Sequence, residues 1–542
     1  MKTRHKQNIV TKGLCIPLFA FGLLGTSAAD VLKADFNGDG FEDLVVGVPG
    51  NNTSGKENSG SVTVFYSGVN GLSARPHQVF SQATPGSGDS PGINDRAEKN
   101  AAFGKALAVG DFNGDGFTDL AVGAPFDDSP GVGIDGNITG GKDAGAVNII
   151  YGAGFAMNTR GNQRLTLSTG GRLLQPRSHF GRVLGAGDFD GDGFTDLIVG
   201  APDWDHPAGS ARIGAVVVFF GARDGFGERS TFLIESTSWV PGESQQDDRF
   251  GSALAVADFN RDGLDDVAIG IPGEDVGSNT NAGATVVLYG SFAGGFSTQA
   301  DLLRDKFVRA DESFGQTLAT GDFNGDTLPD LAIGHPFEDS GARNAGAVTV
   351  FFGNGNRSGF VGGRQYWPAD VVNLPGDPEE NDQFGTALTA ADFDGDGADD
   401  LAIGIPSKTK KRRFRSDKIA AGAVTVLYGT RRGLTTRGAS SDWHQDKKGV
   451  ATSRDNGDRF GSALSTGDFN DDGLADLVVG VPGETLDTGR KQKKAGIAHV
   501  IYGTIEGLSA DSTLGQQVLS QGLGTTGPAA SRAFDKFGSA MP

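Results

Sequence analysis

The sequence is short of several residue types, and each shortage excludes a class of protein. Its 542 residues include one cysteine, Cys15, so neither a disulfide framework nor thiol catalysis is expected. No convincing stretch shows the 3.6-residue apolar period of an amphipathic helix. Apart from the N-terminal segment, no apolar run is long enough to span a bilayer. The 47 basic residues are outnumbered by 67 acidic ones, and the resulting net charge of −20 argues against nucleic acid as a partner.

Residues 1–29 have the organisation of a secretory signal. Four basic residues precede an apolar core at 14–24 that is too short to cross a membrane, and Ser27-Ala28-Ala29 offers small residues for cleavage before Asp30. A retained membrane anchor is the alternative, and Cys15 lacks a convincing lipoprotein context. We therefore expect an exported chain that is secreted, at the cell surface or periplasmic. Loss of the four basic residues leaves a net charge of −24.

A nine-residue loop recurs along the chain with the pattern Asp, any residue, Asn or Asp, any residue, Asp, usually Gly, two residues, Asp. The seven copies begin at Asp35, Asp111, Asp188, Asp258, Asp322, Asp392 and Asp468. Successive copies are 64 to 77 residues apart. Self-similarity at such a period is typical of a propeller, a solenoid or an array of domains.

The segments around each loop predict short strands. A Phe-Gly pair precedes the loop, an apolar run such as Leu120–Pro125 follows it, and then come a variable loop, an alternating run such as Ala345–Gly353, and a weaker extended segment such as Ser230–Glu235. Four-stranded units repeated radially are propeller blades. The excess of glycine, 87 residues, falls in the turns of this repeat. We expect an all-β fold, a seven-bladed β-propeller over residues 30–542.

Two fixed phenylalanine positions recur in each repeat, in the Phe-Gly pair and after the first Asp of the loop, and we expect them to pack blade against blade. The first repeat lacks its Phe-Gly pair, and Phe534–Ala540 at the C-terminus resembles the missing start; compare Asp248–Ala253. The prediction is that the C-terminal strand pairs into the first blade and closes the ring, which an array of independent domains would not need.

The recurring loops predict calcium sites. Their ligands are oxygens with several carboxylates, which suits Ca²⁺, and the absence of His and Cys argues against zinc or copper. An EF-hand begins similarly but needs a Glu at position 12 and flanking helices, whereas position 12 here is an apolar strand residue such as Val46. The alternative is polar turns that hold no ion. Crowded carboxylates would repel one another without a cation, so we expect up to seven structural Ca²⁺ ions.

The predicted metal ligands are the side chains at positions 1, 3, 5 and 9 and the carbonyl at position 7. They are Asp35, Asn37, Asp39, Phe41, Asp43; Asp111, Asn113, Asp115, Phe117, Asp119; Asp188, Asp190, Asp192, Phe194, Asp196; Asp258, Asn260, Asp262, Leu264, Asp266; Asp322, Asn324, Asp326, Leu328, Asp330; Asp392, Asp394, Asp396, Ala398, Asp400; and Asp468, Asn470, Asp472, Leu474, Asp476. Two loops carry four carboxylates and five carry three plus Asn. In the loop from Asp322, Thr327 replaces Gly, so this site is predicted to bind calcium most weakly.

These motifs resemble the FG-GAP repeats of the N-terminal propeller of integrin α subunits. Phe103-Gly104, the loop from Asp111 and Gly123-Ala124-Pro125 reproduce the pattern in order, and the resemblance covers nearly the whole chain after residue 29. It implies a seven-bladed propeller with calcium on one face and a ligand-binding face opposite. Similar repeats also occur beside a phospholipase domain specific for glycosylphosphatidylinositol, but no such catalytic domain fits here. Fold alone does not settle function.

The face opposite the calcium loops carries two basic stretches, Lys408–Arg415 and Arg490–Lys494, which suit an anionic partner or else are solvated loops. Asp203–His206 and Trp443-His444 are candidate carbohydrate contacts, with ordinary packing as the alternative. Acidic residues that follow the recurring Gly-x-Pro segment are interpreted as surface residues; they are Glu274, Asp275, Glu338, Asp339 and Glu484.

The function that follows is an exported, calcium-binding module for adhesion or ligand binding, without catalysis, that binds a protein or glycan and is monomeric. A carbohydrate-binding or carbohydrate-active propeller using the same face is the alternative. A scaffold in a larger envelope assembly is a third hypothesis. No serine nucleophile motif or metal-binding histidine pair is apparent, but a pair of catalytic carboxylates is invisible to sequence when most Asp residues are assigned to metal.

Overall fold

The computed structural model of the chain describes residues 34–68, 71–72, 78–85, 92–93, 95–129, 141–154, 156–171, 175–207, 209–355, 359–360, 363–371, 377–409, 419–437, 442–487, 491–492, 494–510, 517–520 and 536–541. Every strand in these ranges is antiparallel to its neighbours, and none of these residues is helical. The predicted signal segment of residues 1–29 lies outside them. Among the described residues, no helix is long and apolar enough to cross a membrane.

The strands form seven consecutive sheets, the blades, whose strands follow one another in chain order. Blade one contains β1 (Leu44–Val48), β2 (Ser61–Phe65) and β3 (Gln78–Phe80). Blade two contains β4 (Ala106–Gly110), β5 (Asp119–Ala124), β6 (Ala146–Tyr151) and β7 (Asn158–Leu165). Blade three contains β8 (Val183–Gly187), β9 (Asp196–Ala201), β10 (Ala215–Phe219) and β11 (Ser230–Leu233). Blade four contains β12 (Ala253–Ala257), β13 (Asp266–Ile271), β14 (Ala284–Ser291) and β15 (Gly295–Leu303).

The remaining three blades repeat the arrangement. Blade five contains β16 (Thr317–Gly321), β17 (Asp330–His335), β18 (Ala347–Phe351) and β19 (Arg364–Pro368). Blade six contains β20 (Ala387–Ala391), β21 (Asp400–Ile405), β22 (Ala423–Leu427) and β23 (Asp442–Trp443). Blade seven contains β24 (Leu464–Gly467), β25 (Asp476–Val481), β28 (Ile497–Ile501) and β29 (Gln517–Leu519), and a short hairpin of β26 (Leu486–Asp487) and β27 (Lys491–Gln492) extends from it. The prediction of an all-β, seven-bladed propeller of four-stranded blades is confirmed.

The first strand of each blade lies nearest the centre of the ring. Neighbouring blades contact each other through these strands, β4 with β8, β8 with β12, β12 with β16, β16 with β20 and β20 with β24. The second and third strands are almost fully buried because each sheet is covered on both faces by the adjacent blades. Their apolar runs, such as DLAVGA in β5 and DVAIGI in β13, reflect that double burial.

The hydrophobic core is divided among the junctions between blades. Each of the seven apolar clusters found among the described residues contains residues from two consecutive blades. Both recurring phenylalanine positions are at most 2% exposed; they are Phe36, Phe103, Phe112, Phe180, Phe189, Phe250, Phe259, Phe314, Phe323, Phe384, Phe393, Phe460, Phe469 and Phe537. Burying one such ring contributes roughly 1.5–3 kcal/mol. The prediction that these rings pack blade against blade is confirmed.

The ring closes through the C-terminus, as predicted. Ala540 pairs with Gly47 of β1 in an antiparallel bridge, and the Gly47 N–H donates a 2.8 Å hydrogen bond to the Ala540 carbonyl oxygen. Phe537 in turn bridges to Gly496 of blade seven, and the same Gly–Phe bridge is present at each of the remaining six blade junctions. A Cβ on Gly480 would lie 2.0 Å from the carbonyl oxygen of Gly538, so only glycine permits this approach.

Candidate metal centres in the blade hairpins

The Asp-rich loops are the hairpins between the first and second strands of the blades. Each loop wraps around its first aspartate: the N–H at position 6 donates to this carboxylate in all seven copies, at 2.6–3.0 Å. Position 7 donates its N–H to the carboxylate at position 5, as Phe41 does to Asp39 at 3.1 Å. The chain therefore turns tightly around a set of carboxylate oxygens.

The aspartate at position 9 is the most buried acidic residue of each loop. Its Oδ1 accepts an N–H from a residue at, or one or two positions after, the end of the third strand, at 2.8–3.0 Å. Its Oδ2 accepts a second N–H from the start of the loop, at 2.9–3.2 Å. Burial raises the pKa of these carboxyls, to about 7 for Asp43 and about 9 for Asp266. This residue thus fixes the hairpin to its sheet as well as offering oxygen to a cation.

In the two loops with four aspartates, the structure brings three of the predicted ligands together. Oxygens at positions 1, 3 and 9 lie within 4.8 Å of one another, in the sets Asp188, Asp190, Asp196 and Asp392, Asp394, Asp400. The aspartate at position 5 is not part of either set. In the other five loops position 3 is Asn, whose amide oxygen is a calcium ligand of the same hard class. These oxygen-only groups fit Ca²⁺, and the full predicted ligand sets remain predictions.

An arginine balances the extra carboxylate in each four-aspartate loop. Arg229 forms an ion pair with Asp190, and Arg437 forms one with Asp394. Both guanidinium groups also stack on a ring, Arg229 at 4.0 Å from the Phe220 centroid and Arg437 at 4.2 Å from the Tyr428 centroid. Sequence inspection missed this pairing because the arginines come from the outer part of the blade.

The hairpins contain two positions with positive φ. At position 6 the predicted strain is present: Thr327 has φ of 69°, where the other loops have Gly at 85–89°. Position 4 is also left-handed, including Arg261 at 58° and Asp471 at 57°. The glycine at position 4 in the other five loops was the sequence signal for this second turn. Arg431 and Arg432 line the same surface depression as Asn324 and Asp326 of the strained loop.

Neighbouring hairpins are linked through the acid at position 8, which sequence analysis did not single out. The N–H of Asp188 donates to Asp265 Oδ2 at 2.9 Å, and the N–H of Asp322 donates to Asp399 Oδ2 at 2.8 Å. Burial raises the pKa of Asp265 and of Asp399 to about 6. Each link joins the loop of one blade to the loop of the next, at the junction of blades three and four and at that of blades five and six.

The acids after the prolines occupy the opposite ends of the blades, and their interpretation as surface residues was partly wrong. Glu274 and Glu338 are 3% exposed and Glu484 is 9% exposed, because the adjacent blade covers them, whereas Asp275 is only half-buried and Asp339 is exposed.

Both tryptophans proposed as carbohydrate contacts are buried as well. Trp204 packs with Phe232 at 5.1 Å between ring centroids, and Trp443 lies in the core between blades six and seven. Asp203 accepts from His179 at 2.7 Å and pairs with Arg182. Ordinary packing, the alternative for these residues, describes them correctly.

The basic stretches lie largely outside the described residues. Of Lys408–Arg415, Lys408 and Thr409 are described, and Lys408 forms a 2.7 Å ion pair with Asp382. Of Arg490–Lys494, the backbone of 491–492 and the exposed Lys494 are described. Lys408 is therefore bound within the blade junction and is not part of a free basic patch.

The ring of seven blades, with an Asp-rich hairpin on each, defines a β-propeller built from sequence repeats. The sequence profile of the FG-GAP repeat matches residues 27–65, 103–148, 180–219, 250–288, 314–351, 384–427 and 460–501, together more than half of the chain. The chain belongs to the FG-GAP repeat family.

Similar proteins of two kinds share this repeat. Phosphatidylinositol-glycan-specific phospholipase D of Bos taurus is 34% identical over 189 residues, 34% of this chain and 22% of that protein. Integrin alpha-5 of Xenopus laevis is 30% identical over 239 residues, 43% of this chain and 20% of that protein. The match thus spans about a fifth of the length of these curated relatives.

Among solved structures, an exotype rhamnogalacturonan lyase matches with 11% identity and a TM-score of 0.33, covering 85% of this chain and 72% of that one. A likeness at this level carries no argument about activity. The relatives are named as an enzyme and as integrins, so family membership does not by itself decide between catalysis and binding.

Proposed function

We propose that this chain is an exported, calcium-stabilised propeller that binds a protein or glycan ligand on the face opposite its Asp-rich hairpins, without catalysing a reaction. The observation that carries the proposal is the repetition of one hairpin geometry seven times, in which the backbone of each copy folds around the carboxylate of its first aspartate. Similarly charged oxygens held together in this way are stabilised by a hard cation.

Two features support the opposite face as the binding face. The Asp-rich hairpins lie on the other face. The segments between second and third strands begin and end on this one, and they differ in length and sequence from blade to blade, for example 406–422 in blade six against 336–346 in blade five. Variable loops on a rigid scaffold are where binding residues concentrate. The similarity to integrins adds support for a ligand-binding role, whereas the burial of Trp204 and Trp443 removes the residues that favoured a carbohydrate.

A binding screen with a catalytic control tests the proposal. The chain from Asp30 onward is probed on arrays of glycans and matrix proteins, in Ca²⁺ and in chelator, and in parallel is assayed for turnover of polysaccharides and glycosylphosphatidylinositol. Saturable, calcium-dependent binding without turnover is the expected result. Turnover of any substrate would contradict the absence of catalysis.

A pair of variants locates the binding face. Arg412→Gln with Arg413→Gln alters the basic stretch predicted on the ligand face. Arg431→Gln with Arg432→Gln makes the same charge change beside the hairpin of blade five. Weakened binding in the first variant alone supports the proposal for an anionic ligand, whereas weakened binding in the second alone would move the site to the hairpin face.

A further inference from the structure

Three acidic side chains meet in the interior between blades three and four. Glu235 follows β11, Asp248 precedes the Phe250-Gly251 pair of blade four, and Glu274 follows β13. One carboxylate oxygen of each lies within 4.8 Å of the other two, and the three side chains are at most 3% exposed. Strand β13 starts in the Asp-rich hairpin and ends beside this cluster, so the two sites occupy opposite ends of the same strand.

Most of the oxygens in this cluster have no hydrogen-bond partner. Both oxygens of the fully buried Glu235, Oδ1 of Asp248 and Oε2 of Glu274 are unpartnered. The other two accept hydrogen bonds, Asp248 Oδ2 from the N–H of Gln245 and Glu274 Oε1 from Arg304 at 3.2 Å. Buried carboxylates without partners are strongly unfavourable. In the fully ionised form, the three carboxylates and the one arginine carry a net charge of −2, which one divalent cation would neutralise.

The other blade junctions show what replaces this cluster elsewhere. In the strand register, Gln82 and Gln445 occupy the position that Glu235 has in blade three. Each of the three lies two residues after the last-strand residue that pairs with the second residue of the neighbouring strand. Gln82 donates to Asp127 at 2.8 Å, and Gln445 donates to Glu484 at 2.6 Å. A neutral amide donor thus stands where blade three has a third carboxylate.

Two further junctions supply a cationic group from the protein itself. Between blades five and six, Lys408 pairs with Asp382 at 2.7 Å. Between blades four and five, Glu338 accepts from Arg309 at 2.8 Å and from the Tyr366 hydroxyl at 2.9 Å. Only the junction of blades three and four, among those that bring acids together in the described residues, leaves its central carboxylate with no donor.

We propose that Glu235, Asp248 and Glu274 bind one divalent cation of the hard class, calcium in an exported protein, as a link between blades three and four. The ligand set is oxygen alone, which favours Ca²⁺, Mg²⁺ or Mn²⁺ over softer metals. The backbone closes tightly over it, since a Cβ on Gly242 would lie 1.9 Å from Glu235 Oε1. Because the cation joins the last strand of one blade to the first segments of the next, it clamps the junction from the face opposite the hairpins. The site does not depend on the hairpins holding calcium.

Anomalous diffraction tests the site directly. Crystals of the chain from Asp30 onward are grown with CaCl₂ and, separately, with MnCl₂ as the only divalent salt. The expected result is an anomalous peak about 2.3–2.6 Å from oxygens of all three side chains in the calcium crystals. Peaks at the hairpins with none between Glu235, Asp248 and Glu274 would overturn the proposal, and a peak here with none at the hairpins would overturn the proposed hairpin sites alone.

Glu235→Gln provides a solution test, because it installs the amide that the chain already uses at Gln445. With Ca²⁺ present the variant is expected to melt below wild type, since a ligand is lost. In chelator it is expected to melt at or above wild type, since a repulsive charge is removed. A variant that melts lower by the same amount in both conditions would show that the carboxylates only share protons, and would overturn the site.

Two further variants secure this comparison. Glu243→Gln makes the same charge change at an exposed position nearby and is expected to alter neither melting temperature. If Glu235→Gln does not fold, Glu274→Gln replaces it with the same expected reversal. Native mass spectrometry of either cluster variant is expected to show one bound calcium fewer than wild type, and an unchanged count would contradict the assignment.

Discussion

The backbone N–H of Asp468 donates a 2.8 Å hydrogen bond to Oε2 of Glu42, a residue 426 positions earlier in the chain. Asp468 begins the hairpin of blade seven, and Glu42 stands at position 8 of the hairpin of blade one. The link seen between blades three and four and between blades five and six therefore recurs between blades seven and one, where the chain's two ends meet. Two contacts therefore close the ring. The Asp468–Glu42 hydrogen bond joins blades seven and one on the hairpin face, and the Gly47–Ala540 bridge places the C-terminal segment beside β1, as the first strand of blade one.

Closure makes the C-terminal Phe537 a core residue of the junction between blades seven and one. It is fully buried and packs edge-on against Phe65, with 6.0 Å between ring centroids. Phe537→Ala is expected to lower the free energy of unfolding by about 3–5 kcal/mol, measured from the denaturant midpoint.

The control removes the same side chain from the surface. Phe292 is 75% exposed, and Phe292→Ala is expected to change stability by less than about 0.5 kcal/mol. Equal effects of the two substitutions would mean that the C-terminal segment does not complete the ring in solution. Deletion of residues 533–542 is expected to be at least as destabilising as Phe537→Ala.

Thr327 holds a φ of 69° at a position where the other hairpins use glycine. The left-handed conformation costs a non-glycine residue about 1–2 kcal/mol. Glycine avoids this cost, but it also increases the conformational entropy of the unfolded chain, which cancels part of the gain in stability. Thr327→Gly is therefore expected to raise the free energy of unfolding by about 1 kcal/mol.

The reciprocal substitution, Gly397→Thr in the hairpin of blade six, is the matched control and is expected to destabilise. In a calcium titration, we expect the Asp322 hairpin to fill last in wild type. A Thr327→Gly variant less stable than wild type would show that the left-handed turn is not strained.

Arg437 competes with a cation for the carboxylates of the blade-six hairpin, since it contacts Asp394 and lies 3.7 Å from Asp396. Arg437→Gln releases these oxygens and is expected to tighten calcium binding at this hairpin by a few-fold, consistent with the roughly 0.2–1 kcal/mol of a partly exposed ion pair. Isothermal titration of wild type and variant measures it. Weaker binding in the variant would indicate that the arginine holds the carboxylates in the binding geometry.

Lys105 is expected to make the stability of the fold depend on pH. It lies just before β4 and lines a small cavity with Ala540 and Met541. Burial, and then the charges of Arg182 and Lys536, lower its pKa from 10.5 to about 7. The unfolded chain therefore binds more protons between these two values, so stability rises with pH from about 7 to about 10.5.

Lys105→Met is expected to remove that rise, measured by chemical denaturation at several pH values. Lys99→Met is the control, because Lys99 is an exposed partner of Glu57 and is expected to leave the slope unchanged. A wild-type slope that persists in Lys105→Met would assign the pH dependence to other groups.

The repeat made most of the fold predictable. Seven copies of one loop pattern gave the number of blades, recurring phenylalanines marked the junctions, and the Phe537-Gly538 pair identified the closing segment. These features succeed because each depends on residues close in sequence, and the repetition supplies internal controls. The hairpin ligands were predictable for the same reason, since positions 1 to 9 lie on one turn.

The contacts between blades were not predictable in the same way. Glu484 looks like a turn residue beside Pro482, yet it is buried against Gln445, 39 residues away. Whether such an acid is exposed depends on the side chain that the preceding blade presents, which is Glu235 opposite Glu274 and Gln445 opposite Glu484. Local pattern carries no information about that partner, so the buried acids at the junctions became visible only in the structure.

Thermal unfolding of the chain from Asp30 onward, in excess Ca²⁺ and after exhaustive chelation, shows whether bound cations stabilise the ring of blades. Cations that bind only the native state stabilise it by mass action, by about 2.7 kcal/mol for one site at a hundredfold excess over its Kd. With several sites, we expect a large fall in melting temperature on chelation and full recovery when Ca²⁺ is restored. An identical melting temperature in both conditions would show that the hairpins hold no stabilising ion.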